Sequence, residues 1–182
     1  CEVCERARKK KVTTKASIPK PLGQFGDRLL GDCFYTSDMQ NNQITMIGLI
    51  CESTLLHQVA RMVNFQASTA WSVCRTIWFL PYGLPMEMLL DRQTCFLGEF
   101  LENCEKLGIM IFFIPAEAPE QLGTIEIHNA MWRVGFEKAV DQFAAATDND
   151  IDLAIIQTTD GKNSLVKQYG RSAYQAAFGR AP

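Results

Sequence analysis

Apolar positions show no periodicity over residues 1–24, where Pro19, Pro21 and Gly23 interrupt the chain, and become organised from about Phe25. Arg28 to Tyr35 and Gln43 to Cys51 are apolar runs of strand length, with polar Ser37 to Asn42 as the turn between them. Leu55 to Val63 reads as a third strand whose alternation is interrupted by His57 and Gln58. Short turns between these runs predict an antiparallel meander. The period then changes: Ala70, Val73, Cys74, Ile77 and Trp78 recur at three- and four-residue spacing, which predicts a helix over Ala67 to Leu80. Tyr82, Gly83 and Pro85 end it, and Met86 to Leu90 is a short strand stopping at Asp91. Phe96 to Leu107 reads as a helix closed by Gly108, and Ile109 to Ile114 as a buried strand closed by Pro115. After a polar loop, Ala116 to Gly123, a longer helix begins at Thr124 with Ile125, Trp132, Phe136, Val140 and Phe143 on one face. A break at Asp148 to Asp150 precedes a last helix to about Gln157 and a turn-rich tail. Trp71, Trp78 and Trp132 stand at helical spacing among apolar residues and are expected in the core.

Composition narrows the class. At 182 residues with 47% hydrophobic and 21% charged residues, the chain has the profile of one soluble globular domain. The longest apolar run, Leu107 to Pro115, falls far short of the roughly 20 residues that span a bilayer, so no membrane partner is expected. The chain opens on Cys1, and is expected to be a segment of something longer. Of the seven cysteines, five are scattered singly through apolar stretches, where a free thiol behaves as a small buried hydrophobe. That usage suits a reducing compartment, cytosol or nucleus. The net charge of −2 conceals a basic leader: seven of the 18 Lys and Arg lie in residues 1–20. Arg6, Lys9, Lys10 and Lys11 are the candidates for phosphate contact, against the plainer reading of a solvated linker.

Three carboxylates stand out. Asp32 lies within the first strand between Leu30, Cys33 and Phe34, where a charge is costly unless paired or bound to metal. Asp91 closes the fourth strand, a position at which open α/β sheets often carry ligand groups. Glu126 sits at the start of the long helix. Converging, they would supply the hard oxygen ligands that Mg²⁺ prefers, and a pair of such ions can serve phosphoryl transfer. The plainer reading is a set of ordinary acids, with Glu126 favouring the helix N-terminus. His128, about 200° around the helix from Glu126, reads as a surface residue or one behind the site, and His57 as structural.

The stretch from Tyr82 to Arg133 resembles the second half of a retroviral-type integrase core. That family shows G-x-P-x-x-(apolar)-x-x-D-x-G-x-x-F and then P-x-Q-x-G-x-x-E-(R/K)-x-N; the matches here are Gly83, Pro85, Asp91 and Phe96, then Pro119, Gln121, Gly123, Glu126 and Asn129. The family spaces its second and third acids by about 35 residues, as Asp91 and Glu126 are spaced, and Asp32 falls where its first acid belongs. Cys1 and Cys4 with the basic run resemble the end of the zinc domain that precedes such cores. Asn163, Lys167, Gly170, Ser172, Phe178, Gly179, Arg180 and Pro182 resemble the closing segment of LTR-retrotransposon (gypsy-type) Pol polyproteins.

The resemblance implies an RNase H-like α/β fold: a five-stranded mixed sheet, strands one to three antiparallel, flanked by helices. It implies a zinc-domain tail and linker over 1–24, a catalytic core over 25–160 and a C-terminal extension over 161–182. The activity implied is DNA integration, trimming of the 3′ end followed by strand transfer. Asp32, Asp91 and Glu126 would hold Mg²⁺ or Mn²⁺, and Gln121, Gly123 and Asn129 would face DNA. Zn²⁺ would bind Cys1 and Cys4 only with an upstream His pair. Implied partners are double-stranded DNA and further copies of the chain, with no small-molecule substrate and a nuclear location. Two departures keep alternatives open: Gln93 replaces the family's Gly, and Ile127 replaces its basic residue. A degenerate core that binds without turnover fits both, and a cut-and-paste transposase shares the fold and acids.

Overall fold

Three successive apolar runs pair as a meander in the computed structural model, which describes residues 23–114, 123–168 and 170–179. β1 (Arg28–Ser37), β2 (Gln43–Cys51) and β3 (His57–Met62) are antiparallel, with Asp32 opposite Gly48 and Gly48 opposite Val59. α1 (Ala67–Cys74) continues through a π-helical stretch, Arg75–Phe79, into a last turn, Leu80–Tyr82. β4 (Glu87–Leu90) lies parallel to β1, and α2 (Glu99–Lys106) leads to β5 (Met110–Phe113), parallel to β4. The sheet order is β3-β2-β1-β4-β5. α3 (Gly123–Phe143) and α4 (Asp148–Leu165) follow, then a hairpin of β6 (Lys167–Gln168) and β7 (Arg171–Ser172), and α5 (Ala173–Phe178). This is the expected RNase H-like α/β architecture: a five-stranded mixed sheet, antiparallel over its first three strands and flanked by helices.

Strand alternation divides the core between the two faces of the sheet. Leu29 and Cys33 of β1 join Trp78, Phe96 and Phe100 in the cluster under α1 and α2. Leu30 and Phe34 point the other way, Leu30 packing with Ile50 and Ile125, and Phe34 with Trp132 and Phe136 of α3. The five described cysteines are buried and free. Among the described residues, no helix is long and apolar enough to cross a membrane.

Several boundaries differ from expectation. The strand after Gly108 is an edge strand rather than a buried one: Met110 and Phe112 are 51% and 48% exposed, since nothing described covers the outer side of β5. The helix expected from Phe96 starts at Glu99, after a 3₁₀ turn at Thr94–Phe96 and a left-handed Gly98 with φ 54°. α4 runs to Leu165, past Gln157, because its buried positions turn polar: Thr158, Thr159, Lys162 and Asn163 are all buried. Its start is a capping box, Thr147 and Asp150 exchanging bonds with each other's backbone N–H. Trp132 Nε1 donates to Thr159 Oγ1 at 2.9 Å, giving α3 and α4 a polar tie within their contact.

Asn163 joins α4 to the sheet. Its Oδ1 accepts from His57 N at 3.0 Å and its Nδ2 donates to His57 O at 2.7 Å, with the side chain fully buried. Asn163→Ala would leave both backbone groups unsatisfied, and is expected to cost about 2–4 kcal/mol, read as a lower midpoint in urea denaturation with an unchanged slope.

Candidate active site

The local geometry begins with the way α3 lies along β1. Ile125 packs at Leu30, Asn129 bonds to Asp32, Trp132 meets Phe34 with ring centroids 5.7 Å apart, and Arg133 Nε donates to Tyr35 O at 3.0 Å. Seven helical residues advance about 10 Å and four strand residues about 13 Å, so the two elements keep step along this contact. Asp32 therefore faces α3 at the point where the apolar surface between Leu30 and Phe34 is interrupted.

The neighbours of Asp32 are polar by construction. Asn129 Nδ2 donates to Oδ2 at 3.0 Å, and Gln93 Nε2 donates to Oδ1 at 3.2 Å and to Cys33 O at 3.3 Å. Opposite Asp32, Gly48 makes room for these groups: a methyl there would lie 2.7 Å from Asn129 Oδ1 and 3.0 Å from His57 Nε2. Burial pushes the Asp32 carboxyl up to about 6; the Asn129 hydrogen bond works against that rise, and the carboxylates of Asp91 and Glu126 reinforce it. Asp91 and Glu126 thus stand near enough to Asp32 to disfavour its charge. Asp91 follows β4 directly, its Oδ1 accepting from Arg92 N at 2.7 Å, and Glu126 is exposed on the first turn of α3. Among the described residues, no three His, Cys, Asp or Glu stand close enough to hold one ion between them.

The other predicted residues divide into three groups. Asn129 is buried against Asp32, where it serves the carboxylate. Gly123 opens α3. Gln121, Arg6, Lys9, Lys10, Lys11, Cys1 and Cys4 lie outside the described residues, as do all of residues 115–122. Of the two places expected for His128, on the surface or behind the site, the surface is ruled out: it is buried, because the side of α3 turned from Glu126 packs on β3 and α4, and its pKa is held down to about 4 by that burial and by Lys162. His57 is structural as expected, fully buried, and its ring centroid lies 6.3 Å from that of His128.

A scan against family models finds no match, and neither does a search of curated proteins. Solved structures do match. The HTLV-2 integrase catalytic core domain in complex with magnesium, in its trimeric form, superposes with a TM-score of 0.70 at 15% identity, over 85% of this chain and 97% of that one. The chain has the fold of a retroviral integrase catalytic core. The BIV integrase core agrees with a TM-score of 0.64 at 16% identity, over 82% of this chain and 93% of that one. A simian T-cell lymphotropic virus intasome, in complex with the PP2A regulatory subunit B56 gamma, superposes with a TM-score of 0.77 at 15% identity, over 98% of this chain and 63% of that one.

Gln93 is the residue whose importance the sequence signalled without showing how. Its backbone N–H closes the turn after Asp91 on Asp91 O at 2.7 Å, and its side chain reaches across to Asp32. Gly48 and Lys162 gave no signal, since neither belongs to a motif.

The raised pKa of Asp32 sets a pH dependence. The native state holds an extra proton between the ordinary 3.8 and about 6, so the stabilisation present below that window is lost as pH rises through it. In EDTA, Asp32→Asn is expected to remove this loss and to melt higher than the parent near pH 7.5, by on the order of 1 kcal/mol. The advantage should vanish below about pH 4. Melting curves taken across pH test this, and parallel profiles for the two proteins would refute it.

Proposed function

We propose that this chain is the catalytic core of a DNA integrase, breaking and joining DNA strands by phosphoryl transfer with Mg²⁺ or Mn²⁺ held by Asp32, Asp91 and Glu126. The observation that carries the reading is the Asp32 carboxyl, half-buried on the central strand and destabilised as an anion by desolvation and by two neighbouring carboxylates. A carboxylate disfavoured in this way gains most from a divalent cation, and the oxygen donors of the three acids are those that Mg²⁺ takes. The shared fold with a core that was solved with magnesium supports the same choice. Bound there, a pair of ions would lower the charge on the attacked phosphate and activate the entering oxygen.

The chain's own residues have definable parts. Asn129 orients Asp32 through Oδ2, leaving Oδ1 for a ligand once Gln93 withdraws. Asp91 lies at the end of β4 and Glu126 on the first turn of α3, so substrate would enter beside the start of α3. Gln121, Gly123 and the basic residues Arg6, Lys9, Lys10 and Lys11 are the proposed DNA contacts, serving first 3′-end trimming and then strand transfer. The proposed setting is an LTR-retrotransposon Pol polyprotein, acting in the nucleus as a homo-oligomer on element and target DNA. Cys1 and Cys4 would complete a zinc site with an upstream His pair.

One observation favours a second reading. The Gln93 bond to Asp32 occupies an oxygen that a metal would need, which suits a folded core that binds DNA without turning it over. Both readings are tested by titrating the purified chain with Mg²⁺ or Mn²⁺ and assaying disintegration of branched DNA. Metal-dependent cleavage lost in Asp32→Asn and Asp91→Asn is the expected result. Metal binding without cleavage would favour the second reading, and metal binding that survives both substitutions would sink the site. Gln93→Gly frees a carboxylate oxygen from a hydrogen bond worth about 1–2 kcal/mol, and is expected to tighten metal binding about tenfold.

A further inference from the structure

The side of α3 turned away from Glu126 borders a second polar site. Thr124 and His128, one helical turn apart, line a cavity of about 440 Å³ closed by the β2–β3 connection, by Lys162 of α4 and by Arg171 of β7. Its volume falls within the roughly 300–1,000 Å³ of small-molecule sites, so it takes more than a bare ion.

The lining is rich in donors and short of negative charge. Lys162 is only 9% exposed, and no described residue gives its ammonium a hydrogen bond or an ion pair. Its charge in turn disfavours protonation of the neighbouring imidazoles of His57 and His128. His128 is 7% exposed, and its Nδ1 has no partner. Arg171, exposed at the hairpin, is likewise without an ion pair among the described residues. Glu52 also lines the cavity, but it is committed to Arg28 at 2.9 Å. A buried ammonium without a counter-charge is costly, and burial holds Lys162 down to about 7. An ammonium and a guanidinium fork beside donor-capable Nδ1 and hydroxyl groups match an oxyanion of high charge.

We propose that this cavity binds a terminal phosphate group, a monoester dianion, with Lys162 and Arg171 as counter-charges and His128 and Thr124 as hydrogen-bond donors. The phosphate belongs either to a small free molecule or to the end of a nucleic-acid strand. The site stands apart from the carboxylates and does not depend on the integrase reading, because Thr124 and His128 lie on the opposite side of α3 from Glu126.

The test is titration of the whole chain with inorganic phosphate and pyrophosphate in EDTA, against chloride at matched ionic strength, followed by calorimetry and melting. Saturable binding with a rise in Tm is expected for the parent and for Asp91→Asn, which leaves this cavity untouched. Lys162→Met should melt higher than the parent in chloride, having lost an unpaired buried charge, yet gain nothing from phosphate. Arg171→Met, altered at an exposed position, should bind at least about tenfold more weakly, as expected for loss of one charge-assisted contact. No saturation, or an undiminished response in both variants, would overturn the site. Competition with a short oligonucleotide separates the sources. Displacement only by the 5′-phosphorylated form assigns a strand end, and displacement by neither form assigns a free phosphate compound. Equal displacement by phosphorylated and unphosphorylated forms would overturn recognition of a terminal phosphate.

Discussion

The parallel pairing of β1 with β4 is the joint on which the carboxylate site depends. It sets Leu30 beside Leu89 and Gly31 beside Leu90, so strand alternation turns both Asp32 and Asp91 toward α3. Gly31 permits the close fit: a methyl there would lie 2.5 Å from Leu90 Cδ2 and 3.2 Å from Leu49 Cδ2. A parallel neighbour requires a crossover, here made by α1 with its π-helical continuation, which buries Trp78 and Phe79 under the sheet. A slip of one residue in this register would turn the strand's apolar residues to the wrong face and separate the acids.

On that joint α3 acts as a lid that is apolar at intervals and polar between them. Ile125, Trp132 and Phe136 anchor it, and Asn129 falls in the gap, where it meets Asp32. Asn129, His57 and Asn163 continue the polar seam from the carboxylate to α4. A buried seam of this kind adds stability only where its members are satisfied. Here Asn129 Oδ1 and both nitrogens of His57 have no partner of good geometry, so rigidity comes from Asn163 while the Asp32 end remains adjustable.

The two polar faces of α3 carry opposite electrostatic debts. On one, burial and like charge raise the Asp32 carboxyl; on the other, burial lowers the Lys162 ammonium. Each charged form is disfavoured by the fold itself, and each would be favoured by a ligand of opposite sign. Groups held in this way give up folding stability for binding energy, which is why such shifts gather at functional sites. Gln93 partly satisfies the first debt from within the chain. Among the described residues no counterpart does so for Lys162.

Local pattern determined the strands of the meander, the helical stretches, the place of the tryptophans and the spacing of the three acids, because periodicity and motif spacing are properties of neighbouring residues. The β2 bounds at Gln43 and Cys51 were legible for that reason. The exposure of β5, the reach of α4 and the burial of His128 were not, since each depends on what packs against the element from far along the chain. Thr158, Lys162 and Asn163 look like the solvated side of a helix in sequence, yet they are buried because β3 and α3 close over them. Likewise, the sequence marked Gln93 only as a departure from a family pattern. That its amide reaches Asp32, sixty-one positions away, was decided by the β1–β4 pairing alone, because only tertiary contact brings such residues within hydrogen-bond range.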